Sequence, residues 1–242
     1  MHILSRPSPN FDERSITVPR LLVFHYTDMR TAKEALDRLT DPESKVSAHY
    51  LIDEDGTIYR LVEDNKRAWH AGVSGWRGQA NLNDESIGIE LANPGHQYGY
   101  HLFPETQIKA LIGLSKHLIE KYTIMPENIV GHSDIAPLRK KDPGELFPWQ
   151  YLATQGIGLW PTNETMHTSS HCFLSQADIV YLLQEIGYPI PSKTVTNEHF
   201  ATLVRAFQRR FAPQELVKGY TPDTEQRLLA VVSAYKNRQI NG

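Results

Sequence analysis

Apolar positions along the chain follow two regimes. Between residues 18 and 132, short apolar runs surround one long helical pattern; after residue 176 only helical spacing recurs. VPRLLVFHYT (18–27) is an apolar run with β-branched and aromatic residues, entered through a proline, and it predicts a buried strand. TAKEALDRL (31–39) predicts a short helix. VSAHYLIDEDGTIYRLV (46–62) places Asp55-Gly56 between two alternating apolar runs, a hairpin signal. SIGIELAN (86–93) predicts another strand, and ENIVGH (127–132) a short one. In ETQIKALIGLSKHLIEKY (105–122), Ile108, Leu111, Ile112, Leu118, Ile119 and Tyr122 recur at helical spacing and give one buried face. Together these predict an α/β fold: a mixed central β-sheet flanked by helices.

The second regime predicts a small C-terminal three-helix domain, with helices over 177–187, 198–211 and 222–235. The middle one carries Phe200, Leu203, Val204, Phe207 and Phe211 on one stripe. The stretch GIGLWPTNETMHTSSH between the regimes reads as linker. The expected division is therefore an extended N-terminal arm at 1–16, a main domain at 17–155, a linker at 156–175 and the helical domain at 176–242. The last is near the lower size limit for independent folding.

Composition narrows the classes. The 242 residues hold 40% hydrophobic and 22% charged residues, which is ordinary globular usage. No apolar run reaches the ~18 residues that cross a bilayer. A net charge of −3 with interspersed signs gives no reason to expect nucleic-acid binding. Cys172 is the single cysteine, so neither an intrachain disulfide nor a thiolate zinc cluster can form. The N-terminus has no apolar core of a secretory signal. Two expectations stay open: a cytoplasmic chain, or an envelope protein whose leader is absent from this sequence.

Candidate chemistry concentrates in GHSDIAPLRKKDPG (131–144), where prolines exclude a long helix or a central strand. His132 and Asp142 bracket a cationic run that includes Lys140. His25 ends the first predicted strand and Glu90 lies in SIGIELAN. Two His and one Asp are a zinc donor set, and three protein ligands with one open position describe a catalytic zinc. Spacing alone does not choose this reading, since no short metal motif is present. His49, His70, His96, His101 and His117 compete for any ligand role, and Asp142 before Pro143 could simply open a turn.

A resemblance decides further. HYT (25–27), SAHYLIDEDG (47–56), AWHAGVSGWRG (68–78), NDESIGIELAN (83–93) and GHSDIAPLRKKDPG (131–144) occur in the order found in type 2 zinc-dependent N-acetylmuramoyl-L-alanine amidases. That family shares its fold with peptidoglycan-recognition proteins and amidase-type phage lysozymes. The resemblance implies zinc ligands His25, His132 and Asp142, a catalytic acid/base Glu90 and a catalytic Lys140. A tyrosine that shares the catalytic work in some relatives is replaced here by Ala48, which leaves Glu90 as the candidate. Tyr26, Trp69 and His70 are expected to line the substrate groove, with Arg77 a candidate for carboxylate recognition.

The implied activity is hydrolysis of the amide between N-acetylmuramic or 1,6-anhydro-N-acetylmuramic acid and L-alanine of the stem peptide, with peptidoglycan or muropeptide as substrate. The C-terminal helices resemble a peptidoglycan-binding-type domain, which suits the AmiD-like branch of the family and an envelope location; they could equally be a packing extension. A monomer is the default. A wall-binding module without catalysis uses the same groove, and a two-carboxylate glycosidase remains a third reading that leaves both histidines without a role.

Overall fold

LLVFHY (21–26) offers no position for solvent, and all six residues are buried in a central strand. The computed structural model describes residues 2–161, 174–190 and 195–241. The described strands are β1 (Ile3–Ser5), β2 (Phe11–Glu13), β3 (Leu21–Tyr26), β4 (Tyr50–Ile52), β5 (Ile58–Arg60), β6 (Lys66–Ala68), β7 (Gly75–Trp76), β8 (Gln79–Ala80), β9 (Ser86–Leu91) and β10 (Ile129–Gly131). Six of them form the main sheet in the order β1-β5-β4-β9-β3-β10. β4, β9, β3 and β10 run parallel, while β5 pairs antiparallel with β4 and parallel with β1. The sheet is therefore mixed, as the sequence predicts.

Helices cover both faces: α1 (Ala32–Thr40), α2 (Gly95–Tyr98), α3 (Glu105–Tyr122), α4 (His132–Ile135), α5 (Trp149–Thr154), α6 (Gln176–Ile186), α7 (Asn197–Phe211) and α8 (Pro222–Asn241). Strand side chains alternate between faces. Leu22, Phe24, Ile87, Ile89 and Leu91 pack with Ile108, Leu111, Leu114 and Leu118 of α3 on one side. The opposite side carries Leu21, Val23 and, at the strand ends, His25 and Glu90. There α1 covers Leu51 and Leu61 with Ala35 and Leu39.

Side-chain caps begin the first two C-terminal helices. Ser175 Oγ accepts from the Asp178 N–H while the Asp178 carboxylate bonds back to the Ser175 N–H, and Thr196 Oγ1 accepts from the His199 N–H. Their apolar stripes do not close on one another alone. Leu183, Ile186, Leu203, Phe207, Phe211 and Val231 share one core with Leu21, Val23, Val130 and Ile135 of the preceding sheet and its following turn.

Two other expectations change. The N-terminal arm is built into the fold: β1 extends the main sheet and β2 pairs with β6. Behind it Arg14 donates to the carbonyls of Asp64, Lys66 and Ser86 at 3.2, 2.8 and 2.9 Å. In the expected linker, Ile157 and Leu159 are buried; residues 162–173, Cys172 among them, lie outside the described residues. Among the described residues no helix is long and apolar enough to cross a membrane.

Candidate active site

Three ligand atoms meet at the carboxyl ends of the parallel strands, the usual position of sites in such sheets. His25 Nδ1, His132 Nδ1 and Asp142 Oδ2 lie 3.0 Å from one another in each pairing. All three residues are buried, and they are the only such trio among the described residues. The loop that delivers two of them is closed on itself. The Asp134 carboxylate caps the Gly131 N–H at 2.8 Å, and the Ser133 N–H donates to the Asp142 carbonyl at 2.8 Å. Gly131 is required, because a Cβ there would stand 2.6 Å from Pro143 Cδ.

Hydrogen-bond direction fixes which nitrogen of each imidazole is free. The His132 ring can only donate from Nε2 to the Ala71 carbonyl at 3.1 Å, which leaves Nδ1 with its lone pair. For His25 the chain is longer. The Ser86 hydroxyl donates to the Leu82 carbonyl at 2.5 Å, so its oxygen accepts from His70 Nε2 at 3.1 Å. His70 Nδ1 is then an acceptor, and His25 Nε2 donates to it at 3.0 Å. His25 Nδ1 is thereby a lone pair aimed at His132 and Asp142.

Two lone pairs and a carboxylate 3.0 Å apart repel one another unless a cation lies between them. The edge of a tetrahedral zinc site is about 3.3 Å, so the donor set and its spacing fit zinc. Burial first, then neighbouring His132, lowers the His25 pKa to about 4, which keeps the imidazole neutral as a ligand must be. Burial works against the Asp142 carboxylate, so its charge, like the two lone pairs, calls for a cation at this point.

Glu90 stands beside this centre, in register with His25 on the adjoining strand. Burial, and next the Asp142 charge, push its pKa well above the usual carboxylate value, against the opposing pull of Lys140. Its Oε2 is buried without a hydrogen-bond partner. Glu90, Lys140 and the three ligand residues all line one cleft of about 530 Å³.

The model of the N-acetylmuramoyl-L-alanine amidase family matches residues 15–145. The chain is 42% identical over 211 residues to N-acetylmuramoyl-L-alanine amidase AmiD of Escherichia coli (strain K12), covering 80% of this chain and 75% of that protein. The chain belongs to the N-acetylmuramoyl-L-alanine amidase family. Its structure superposes on that of E. coli AmiD in complex with anhydro-N-acetylmuramic acid-L-Ala-D-γ-Glu-L-Lys with a TM-score of 0.82, at 36% identity, over 95% of this chain and 98% of the other. AmpDh3 of Pseudomonas aeruginosa in complex with anhydromuramic pentapeptide gives 0.81 at 36% identity, over 90% and 92%.

The expected groove residues of this amidase divide. Tyr26 lines the cleft, but its hydroxyl bonds His96 Nδ1 at 2.8 Å, and His96 Nε2 reaches Glu145 at 3.1 Å. Trp69 also lines it, with its indole N–H donated to Asp12 at 2.7 Å, so the N-terminal segment anchors this wall. His70 touches the cleft floor, yet both ring nitrogens are spent on His25 and Ser86, so it holds the His25 ring in place. Arg77 is absent from the cleft and lies at the seam with Gly187, its N–H bonded to the Gly187 carbonyl at 2.9 Å.

Sequence reasoning missed Ser86, Gly88 and Arg139. A Cβ on Gly88 would stand 2.4 Å from the His70 ring, so this strand glycine makes the room His70 occupies. A glycine inside an apolar strand was the available signal. Arg139 Nη2 donates to the Ala71 and Val73 carbonyls at 2.8 and 2.9 Å and ties the ligand loop to the AWHAG segment.

Proposed function

We propose that this chain is a zinc-dependent amidase that cleaves the bond between the lactyl group of N-acetylmuramic acid and L-alanine, in cell-wall turnover or recycling. The observation that carries this reading is the convergence of His25 Nδ1, His132 Nδ1 and Asp142 Oδ2, each deprived of any proton, beside a carboxylate with a raised pKa. Solved relatives are in complex with anhydromuramic peptides, which supports 1,6-anhydro-muropeptides as the substrate class.

His25, His132 and Asp142 would hold the zinc. When bound, zinc supplies Lewis acidity towards water and the amide carbonyl. Glu90 takes a proton from the attacking water and returns it to the departing alanine nitrogen. The Lys140 ammonium faces the same cleft and offsets negative charge on the carbonyl oxygen, a role worth about 3 kcal/mol. Arg38 and Lys141 add cations to the cleft wall, suited to stem-peptide carboxylates.

One chain supplies every one of these groups, which supports action as a monomer. An envelope location fits this reading, since wall fragments arise there; fractionation of the native host tests it against the cytoplasm. Mass spectrometry of a digested anhydro-muropeptide tests the reaction: free stem peptide with a new alanine amine supports it. Binding to peptidoglycan without new amines would leave a wall-binding protein, and new reducing ends a glycosidase.

A further inference from the structure

The helices that follow residue 176 reach into the loop that carries two of the ligand residues. Arg210 of α7 is 2% exposed. Its Nη1 donates to Asp134 Oδ2 at 2.7 Å and its Nη2 to the Ile129 carbonyl at 3.1 Å, while the guanidinium lies 4.0 Å over the Trp149 ring. Tyr188, just beyond α6, donates its hydroxyl to the other Asp134 oxygen at 2.9 Å. Asp134 Oδ2 also caps the Gly131 N–H at 2.8 Å. One guanidinium thus spans the junction between β10 and α4, on which His132 stands. The next link is the Ser133 N–H, which holds the Asp142 carbonyl at 2.8 Å.

Stability alone does not call for this arrangement. A buried ion pair loses about as much in desolvation as it gains in attraction, and apolar residues of similar size often serve as well. Leu203, Phe207 and Phe211 already bind α7 to the sheet through apolar contact. What the planar fork adds is a fixed geometry between a strand end and a capped turn.

We propose that Arg210 and Tyr188 are positioning residues: through Asp134 they hold the turn bearing His132 and the backbone of Asp142, so that the C-terminal helices form part of the frame of the metal site. This rests on the amidase reading above and gives the helical layer a role other than wall binding.

The test uses the full chain and three variants, Arg210→Met, Arg210→Lys and Tyr188→Phe. Zinc affinity is measured by competition with a chromophoric chelator, kcat and KM on a soluble anhydro-muropeptide, and folding by thermal melts. Arg210→Met is expected to weaken zinc binding about 10- to 100-fold, the range typical of groups that orient metal ligands. kcat on the soluble fragment falls while KM stays, Arg210→Lys recovers part of the loss, and Tyr188→Phe, which removes one hydroxyl, loses severalfold. Parental zinc affinity and kcat in folded Arg210→Met and Tyr188→Phe overturn the proposal. So does a loss confined to insoluble peptidoglycan, which would mark a wall-binding surface. Should Arg210→Met fail to fold, Tyr188→Phe alone decides, and parental zinc affinity there overturns the proposal. A parent chain that binds zinc but releases no alanine amine defeats the amidase reading, while the affinity arm still decides this one.

Discussion

His25 and Glu90 stand in register on neighbouring parallel strands, so an imidazole and a carboxylate with a raised pKa share one face of the sheet. Strand pairing therefore fixes the spacing of His25 and Glu90, while His132 and Asp142 come from the loop after β10.

Replacing the base should separate binding from chemistry. Glu90→Gln is expected to keep stoichiometric zinc, measured by atomic absorption, while turnover falls by roughly 10²-fold or more. Near-parental turnover would move the base elsewhere.

Crowding the support of His25 should act on the metal without touching a ligand. Gly88→Ala places a methyl against the His70 ring. We expect a loss of about 1–3 kcal/mol in stability from overpacking and a weaker zinc affinity in the folded fraction. Chemical denaturation and chelator competition check the two effects separately.

Zinc should raise the melting temperature. At a concentration about 100-fold above its Kd the gain is about 2.7 kcal/mol, visible as an upward shift in a thermal scan. His132→Ala should abolish the shift; an equal shift in that variant would place the metal elsewhere.

An acid limb of stability should come from Asp64, which does not line the cleft. Burial disfavours its charge, but bonds from Tyr50 at 2.6 Å, Lys121 at 3.0 Å and Tyr122 at 2.8 Å prevail and hold its pKa below the ordinary value. A depressed folded pKa adds stability that is complete above the unfolded value near 4 and is lost as pH falls through the folded one. Asp64→Asn should therefore be less stable than the parent at pH 7, with the gap closing in urea melts on acidification below about 4.

Buried strands and long helices were legible because their apolar periods are long and clean: Leu21–Tyr26, Ser86–Leu91 and Glu105–Tyr122 lie where their patterns predict. Short pairings such as β2 with β6, where Arg67 meets Asp12, carry no local signal, since their partners are distant in sequence. The ligand set could be proposed from donor chemistry, but only resemblance singled out His25 and His132 among eleven histidines. Helical spacing showed that Leu203, Phe207 and Phe211 face an apolar partner without saying that the partner is the sheet. Nothing in the local sequence pairs Arg210 with Asp134, 76 residues apart; the fold buries them together.

Anomalous diffraction at the zinc absorption edge, from crystals grown with zinc, tests the central claim most directly. The account predicts one strong peak about 2.0–2.2 Å from His25 Nδ1, His132 Nδ1 and Asp142 Oδ2. No peak there, or a peak served by the Nε2 atoms of the histidines, would contradict it.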